Sequence, residues 1–254
     1  MQRPRSPIVL ALDTPDLDEA RAWAVAAGPA IGMVKVGLEL FGAHGPLAVR
    51  ALRADGHRIM LDLKLHDIPA TVGRAVAALD PLDVDLLTVH ASGGAAMLRA
   101  ALEASTGRTL IAAVTVLTSL DGGDLAEVGL AEPPVAVERL ARLALGAGCQ
   151  ALVCSPLEVA RLRALAGPAV TLVCPGVRPP ADGSAPASGT GAGPGRAGSG
   201  TVGDDQARVA TPGAALAAGA DLLVVGRPIT RAADPAAAAS AISAEALAGR
   251  GGAR

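Results

Sequence analysis

The chain is nearly devoid of aromatic side chains: one Trp, one Phe and no Tyr in 254 residues. Any core must therefore be filled by Leu, Val, Ile and Ala, and an apolar fraction of 51% supplies enough of them for a large one. An excess of basic charge is also missing. Twenty-two Lys and Arg face 24 Asp and Glu, for a net charge of −2, which argues against a general binder of nucleic acid or anionic membranes. It does not argue against a small anionic substrate, which needs only a local group of cations. Cysteine is scarce: Cys149, Cys154 and Cys174 are odd in number, form no CxxC pair and fall in or beside apolar runs. They read as buried reduced thiols of a cytosolic protein rather than as disulfides or metal ligands. No stretch of 18 consecutive apolar residues occurs, so no membrane span is expected. The start MQRPRSP has no long apolar segment behind it, so no secretory leader is expected either.

What the chain does have is a repeated alternation. Eight short runs rich in Leu, Val and Ile read as strands: IVLALD (8–13), MVKVGLEL (33–40), IMLDLKL (59–65), LLTVH (86–90), TLIAAVTVL (109–117), ALVCS (151–155), TLVCPGV (171–177) and LLVVG (222–226). Continuous apolar runs suit parallel strands covered on both faces. Helical segments lie between and after them at 16–27, 46–53, 69–79, 94–104, 135–145, 158–166, 212–218 and 235–247. Asp16 is a plausible N-cap, and several segments carry Pro in the first turn, where its missing N–H costs nothing. The alternation alone allows a doubly wound sheet. Eight regular βα units favour closure into a (β/α)8 TIM barrel, one domain over 1–254, a size usual for that fold. One tract breaks the rhythm. ADGSAPASGTGAGPGRAGSG (181–200) has almost no apolar bulk and is expected to be a flexible, low-complexity insert in the loop after the seventh strand.

Active sites of such barrels form at the C-terminal ends of the strands, so inward-facing polar residues at those ends carry the information. In the third run Ile59, Leu61 and Leu63 share one parity, and Met60, Asp62 and Lys64 share the other. Two opposite charges on the inner face are costly to bury unless paired. By the same parity the first run delivers Asp13 and the second delivers Lys35, with Asp67 following in the loop after the third. Surface salt bridges could explain any one of these charges, but they explain the set poorly. On the far side, PGVR ends at Arg178 and GRP contains Gly226 and Arg227. The loops after strands seven and eight are the usual phosphate site of these barrels. Glycine lets backbone N–H groups approach an anion, and arginine offers a bidentate fork.

The string DLKLHDIPATV (62–72) closely resembles the signature of the orotidine 5′-phosphate decarboxylase family. LALD, VKVGLEL, TVHASGG, TVLTS, PGVRP, DDQARVATP and VVGRPIT also match it, in family order, over about 8–242. The resemblance implies conversion of orotidine 5′-phosphate to UMP and carbon dioxide, the last step of de novo UMP synthesis, with no metal and no organic cofactor. It assigns to Lys64 the delivery of a proton to C6 of the pyrimidine. Asp62 and Asp67 would flank it, Asp67 coming from the partner subunit of a homodimer. Lys35 would join the charged network and contact the ribose, as would Asp13. Ile68 and Thr71, beside Asp67 in the signature, are further ligand contacts, Thr71 also reaching across the dimer. Thr118 would lie near the pyrimidine, and Arg178, Gln206, Gly226 and Arg227 would grip the phosphate. Opposite charges around an ammonium favour its charged form. The alternating charges leave no free site for the substrate carboxylate near Asp62, and binding of the remote phosphate offsets the cost of holding the ring there.

The 181–200 tract is a departure from the family pattern, falling in the phosphate-side loop between Arg178 and Gln206. Tripling a flexible loop costs only roughly 1 kcal/mol in closure entropy, so activity is expected to survive it. Two other readings are weighed. Magnesium-dependent sugar-phosphate decarboxylases and aldolases of the same structural group also carry a DxKxxD pattern. They hold the metal partly through a carboxylate near the end of strand two, where this chain has Lys35. A non-catalytic phosphate-ligand module on the same barrel would be expected to lose Lys64 or its acidic partners, and both are present. His44 and His57 read as surface residues, Trp23 as packing, and His90 as either structural or pocket-lining.

Overall fold

The computed structural model describes residues 6–179 and 210–251. The 181–200 tract and Gln206 lie outside the described residues. Eight parallel strands close into a barrel in sequence order: β1 (Ile8–Ala11), β2 (Met33–Gly37), β3 (Ile59–Leu65), β4 (Leu86–His90), β5 (Leu110–Val114), β6 (Ala151–Val153), β7 (Thr171–Cys174) and β8 (Leu222–Val225). The ring is completed by β8 pairing with β1, Val9 standing opposite Val224. Around it run α1 (Leu17–Ala27), α2 (Leu38–His44), α3 (Pro46–Ala54), α4 (Pro69–Leu79), α5 (Gly94–Ala104), α6 (Gly122–Glu127), α7 (Pro133–Ala147), α8 (Val159–Ala166), α9 (Pro212–Ala217), α10 (Arg227–Thr230) and α11 (Pro235–Gly251).

Period-two alternation sorts the strand residues into two separate apolar layers. Ile8, Leu10, Val34, Val36, Ile59 and Leu61 point outward and pack under the helices in the larger core. Val9, Ala11, Met33, Met60, Leu86 and Ala112 point inward and fill the barrel's axis. With hardly any ring to place, this inner layer is made of small and medium aliphatic side chains. The three cysteines are free and buried, as expected. Burial pushes the Cys149 thiol up to about 11, and Cys174 is pushed up as well, by burial first and then by nearby Cys154 and Glu158. Trp23 packs against the outer core.

Asp16 does cap α1, accepting from the backbone N–H groups of Asp18 and Glu19. Pro46, Pro69, Pro133, Pro212 and Pro235 open their helices. The second apolar run is not strand throughout. β2 stops at Gly37, and Leu38 begins a helix that buries Leu40 and packs Phe41 on the core. The spacing of Leu40 and Phe41 serves the outer layer better on a helix turn than on an extended strand. α6 is set by an aspartate capping box, Asp121 with Asp124, which overrides the glycines at its start. The strand runs at 109–117, 151–155 and 171–177 are shortened because their last residues turn into the barrel mouth. At that mouth Val177 makes a bridge to Ala210, and the Arg178 N–H donates to the Ala210 carbonyl. No described helix is long and apolar enough to cross a membrane.

Candidate active site

The C-terminal mouth of the barrel opens into a cavity of about 310 Å³. Three kinds of wall surround it. Asp13, Lys35, Asp62 and Lys64 come from the ends of β1 to β3. Val114 and Val153, on β5 and β6, and Leu117, in the loop after β5, give an apolar side. Arg178, Gly226 and Arg227 come from the loops after β7 and β8, and Thr118 lies beside the apolar side. These sequence-predicted residues therefore share one cavity.

The charged wall is a chain of alternating sign. The Lys35 ammonium donates to Asp13 Oδ1 at 2.9 Å and stands 3.6 Å from Asp62 Oδ2. The Lys64 ammonium donates to both carboxylate oxygens of Asp62, at 2.9 and 2.8 Å. Asp62 is 7% exposed and Lys35 8%, while the Asp13 side chain remains 57% exposed at the rim. Burial alone would raise the Asp62 pKa. The charges of Lys35 and Lys64, together with hydrogen bonds from Lys64 and Thr88, outweigh it and hold the carboxyl below its ordinary value. Asp62 is thus an anion at neutral pH, clamped between two cations.

Two backbone features make this packing possible. A side chain at position 37 would place its Cβ 2.8 Å from the Lys35 ammonium and 3.2 Å from Asp13 Oδ1, so only glycine leaves this ion pair undisplaced. β3 carries an irregularity: Leu61 pairs with Leu87, but the next partner of β4 residue Val89 is Leu65. Two extra residues of β3 are accommodated in that interval, and Lys64 within it adopts φ +49°. A non-glycine residue in this left-handed region costs about 1–3 kcal/mol and survives only where the surroundings enforce it. The bulge folds the strand end back so that Lys64 and Asp62, two apart in sequence, meet directly.

Asp67, Ile68 and Thr71 are placed elsewhere. They lie beyond the end of β3 and at the start of α4, outside the cavity lining. Asp67 is exposed, its Oδ1 accepting from the Ile68 N–H, and Ile68 is 65% exposed. His90 does not line the cavity either. Its ring centroid is 5.4 Å from that of His66. Burial first, then the charges of His66 and Lys64, holds it below the usual imidazole value despite the pull of Asp62. His44 and His57 are half-buried rather than fully exposed, His44 meeting the Pro15 carbonyl. Sequence reasoning passed over Thr88 and the steric demand on Gly37. A hydroxyl at inward parity within the apolar run LLTVH was the available signal for the first. Nothing in the sequence pattern signals the second.

A closed barrel carrying paired lysines and aspartates at its mouth, opposite an arginine-lined rim, defines an enzyme of the (β/α)8 class. The chain belongs to the orotidine 5′-phosphate decarboxylase / HUMPS family, whose model matches residues 6–242. It is 55% identical to the orotidine 5′-phosphate decarboxylase of Thermobifida fusca (strain YX) over 242 residues, covering 94% of this chain and 95% of that protein. Identity to the enzyme of the same description from Anaeromyxobacter sp. (strain K) is 52%, over 95% of this chain and 99% of the relative. Among solved structures, orotidine 5′-phosphate decarboxylase from Lactobacillus acidophilus superposes with a TM-score of 0.77 at 33% identity, covering 95% of this chain and 99% of that one.

Proposed function

We propose that this protein decarboxylates orotidine 5′-phosphate to UMP and carbon dioxide, without metal or organic cofactor, as the closing step of pyrimidine nucleotide synthesis. The observation that carries the reading is the Asp13–Lys35–Asp62–Lys64 chain facing the same cavity as Arg178 and Arg227. The phosphate sits at the Arg178, Gly226 and Arg227 rim. The ring lies against the apolar wall beside Thr118, and the ribose meets Asp13 and Lys35. That places C6 and its carboxylate toward Asp62 and Lys64.

The C6–carboxylate bond breaks and its electron pair stays on C6. The Lys64 ammonium stabilises that charge as it develops and gives C6 a proton, leaving a neutral amine that solvent reprotonates. Asp62 holds Lys64 in place and repels the substrate carboxylate, a conflict that ends when carbon dioxide departs. Asp67, Ile68 and Thr71 act on the cavity of a second copy of the chain, which accounts for their position outside their own cavity, with Asp67 and Ile68 exposed. The homodimer is part of the proposal.

The matching family model also embraces HUMPS proteins, so a magnesium-dependent sugar-phosphate reaction is the relevant alternative. One geometric fact disfavours it. Lys35, at the strand-two position where those enzymes carry a metal-holding carboxylate, puts an ammonium 2.9 Å from Asp13 and 3.6 Å from Asp62. The test is the ultraviolet change of orotidine 5′-phosphate on incubation with purified protein in excess EDTA. Turnover at an undiminished rate is expected. Activity abolished by EDTA and restored by magnesium would favour the metal-dependent reading, and binding without turnover would make the barrel a non-catalytic module.

Arg227→Ala probes the phosphate rim. A charge-assisted hydrogen bond is worth about 1.5–3 kcal/mol, and a bidentate contact more, so kcat/KM should fall on the order of 100-fold. Steady-state kinetics should show the loss mainly in KM. An unaltered KM would remove Arg227 from the phosphate site.

A further inference from the structure

We propose that Thr88 is a positioning residue for the reaction: its side-chain hydroxyl fixes the β3 bulge and thereby sets both the conformation of Lys64 and the charge of Asp62. This inference deepens the proposed decarboxylase reading and rests on it.

Thr88 is 0% exposed and lies on β4 at inward parity with Leu86. Its Oγ1 donates to Asp62 Oδ1 at 2.9 Å and accepts from the Lys64 backbone N–H, also at 2.9 Å. One hydroxyl thus uses its single proton on the carboxylate and a lone pair on the amide. The Lys64 amide needs this partner because of the irregular register. Between the Leu61–Leu87 and Leu65–Val89 pairs the β3 chain has two residues too many. Thr88, standing opposite the excess, supplies from its side chain the acceptor for Lys64. The same contact steadies the left-handed backbone of Lys64, whose φ is +49°.

The two hydrogen bonds run to the two partners of one ion pair, so their effects are coupled. Losing the hydroxyl leaves a partly buried amide without its acceptor and frees Lys64 to relax toward ordinary strand geometry. Its ammonium then leaves the bidentate contact with Asp62. Asp62 loses a donor at the same moment and becomes easier to protonate. The other groups facing Asp62 are Lys35 on β2, Lys64 on β3 and His90 on β4, with Asp13 on β1 acting through Lys35. None of them stands where the hydroxyl does: Lys64 already contacts both Asp62 oxygens, and the nearest approach of Lys35 is 3.6 Å, to Oδ2 rather than to the Oδ1 that Thr88 serves.

The test compares Thr88→Val, which keeps shape and removes the hydroxyl, with Thr88→Ser, which keeps the hydroxyl. Kinetics are measured per folded active site, with the pH dependence of kcat/KM. Thr88→Val should lower kcat about 30-fold, the scale of a lost hydrogen bond to a charged group, with KM within about threefold. Its acid limb should move to higher pH, because a carboxylate stripped of a donor has a raised pKa. Thr88→Ser should recover kcat to within about threefold of wild type and restore the limb. If Thr88→Val does not accumulate as folded protein, Thr88→Ala takes its place against Thr88→Ser. Equal kcat and an unmoved acid limb in the hydroxyl-free variant would overturn the proposal. So would equal losses in the Ser and hydroxyl-free variants, which would assign the effect to the methyl group's packing. Failure of the wild type to turn over orotidine 5′-phosphate would instead overturn the reading on which the proposal stands.

Discussion

Lys64→Ala is expected to fold, to keep its affinity for UMP within about tenfold, and to lose at least 10⁴-fold in kcat, an order-of-magnitude figure from the removal of both a proton donor and the nearest cation. The argument separates binding from chemistry. Product recognition rests mainly on the arginine rim, the apolar wall and the Asp13–Lys35 end of the charged chain, none of which the substitution touches. In the proposed reaction no other donor is equally placed, because the Lys35 ammonium sits toward Asp13 at 2.9 Å, away from the position that Lys64 holds. Alanine keeps the Cβ and the backbone contact to Thr88, and Asp62 retains Lys35 and Thr88 as partners, so the fold is not threatened. Isothermal titration with UMP beside a single-turnover assay checks both halves. Activity within a hundredfold of wild type would exclude Lys64 as the proton donor.

Asp62→Ala should fail differently, in stability as well as rate. Removing one partner of a buried charge cluster typically costs 3–5 kcal/mol, since the opposite charge is left behind. Here about 3 kcal/mol is expected, because Lys35 retains Asp13 and the Lys64 side chain stays 29% exposed. The loss in kcat/KM should reach on the order of 10³-fold as Lys64 loses its anchor. The pH dependence has a definite sign. The Asp62 carboxyl is held below its ordinary 3.8 in the folded protein, so the folded state favours the charged form. Its contribution is complete above that ordinary value and disappears as the pH falls through the lowered one. Urea unfolding should therefore show a constant gap between wild type and variant near neutrality, narrowing only below about pH 4. A gap that stays the same into that acid range would mean that the charge of Asp62 does not stabilise the fold.

Much of this was open to reading in the residues themselves. The parity of IMLDLKL puts Asp62 and Lys64 inward and Ile59 and Leu61 under the helices, and this is where they lie. Such a pattern survives because burial of aliphatic side chains is local to each strand and needs no knowledge of neighbours. The same holds for the Asp16 cap and the helix-opening prolines. What escaped depends on relations between strands. The β3 bulge exists only against β4, so the left-handed Lys64 and the role of the Thr88 hydroxyl cannot be seen in either run alone. Gly37 leaves room for a lysine from its own strand and an aspartate following β1 to converge above it. The end of β2 was misjudged for a related reason: VKVGLEL is apolar enough for either state, and only the outer core decides that Leu40 and Phe41 belong to a helix. Asp67, Ile68 and Thr71 show the opposite case. Their link to a cavity was read from a resemblance, and a single chain leaves them at its surface.

The strand wall divides two kinds of selection. Residues of one parity answer to the helices outside, and those of the other to the barrel axis and, at the strand ends, to whatever occupies the mouth. The two apolar layers share no side chain. Among the described residues only Val116, Cys154 and Val177 of the outer layer also line the cavity, so most of the outer shell can be repacked away from the charged wall. A scaffold partitioned in this way can drift in thermal tolerance without retuning its chemistry, and can acquire a different chemistry while inheriting the same shell. That one sequence family joins decarboxylases and HUMPS proteins is a natural outcome of such a partition.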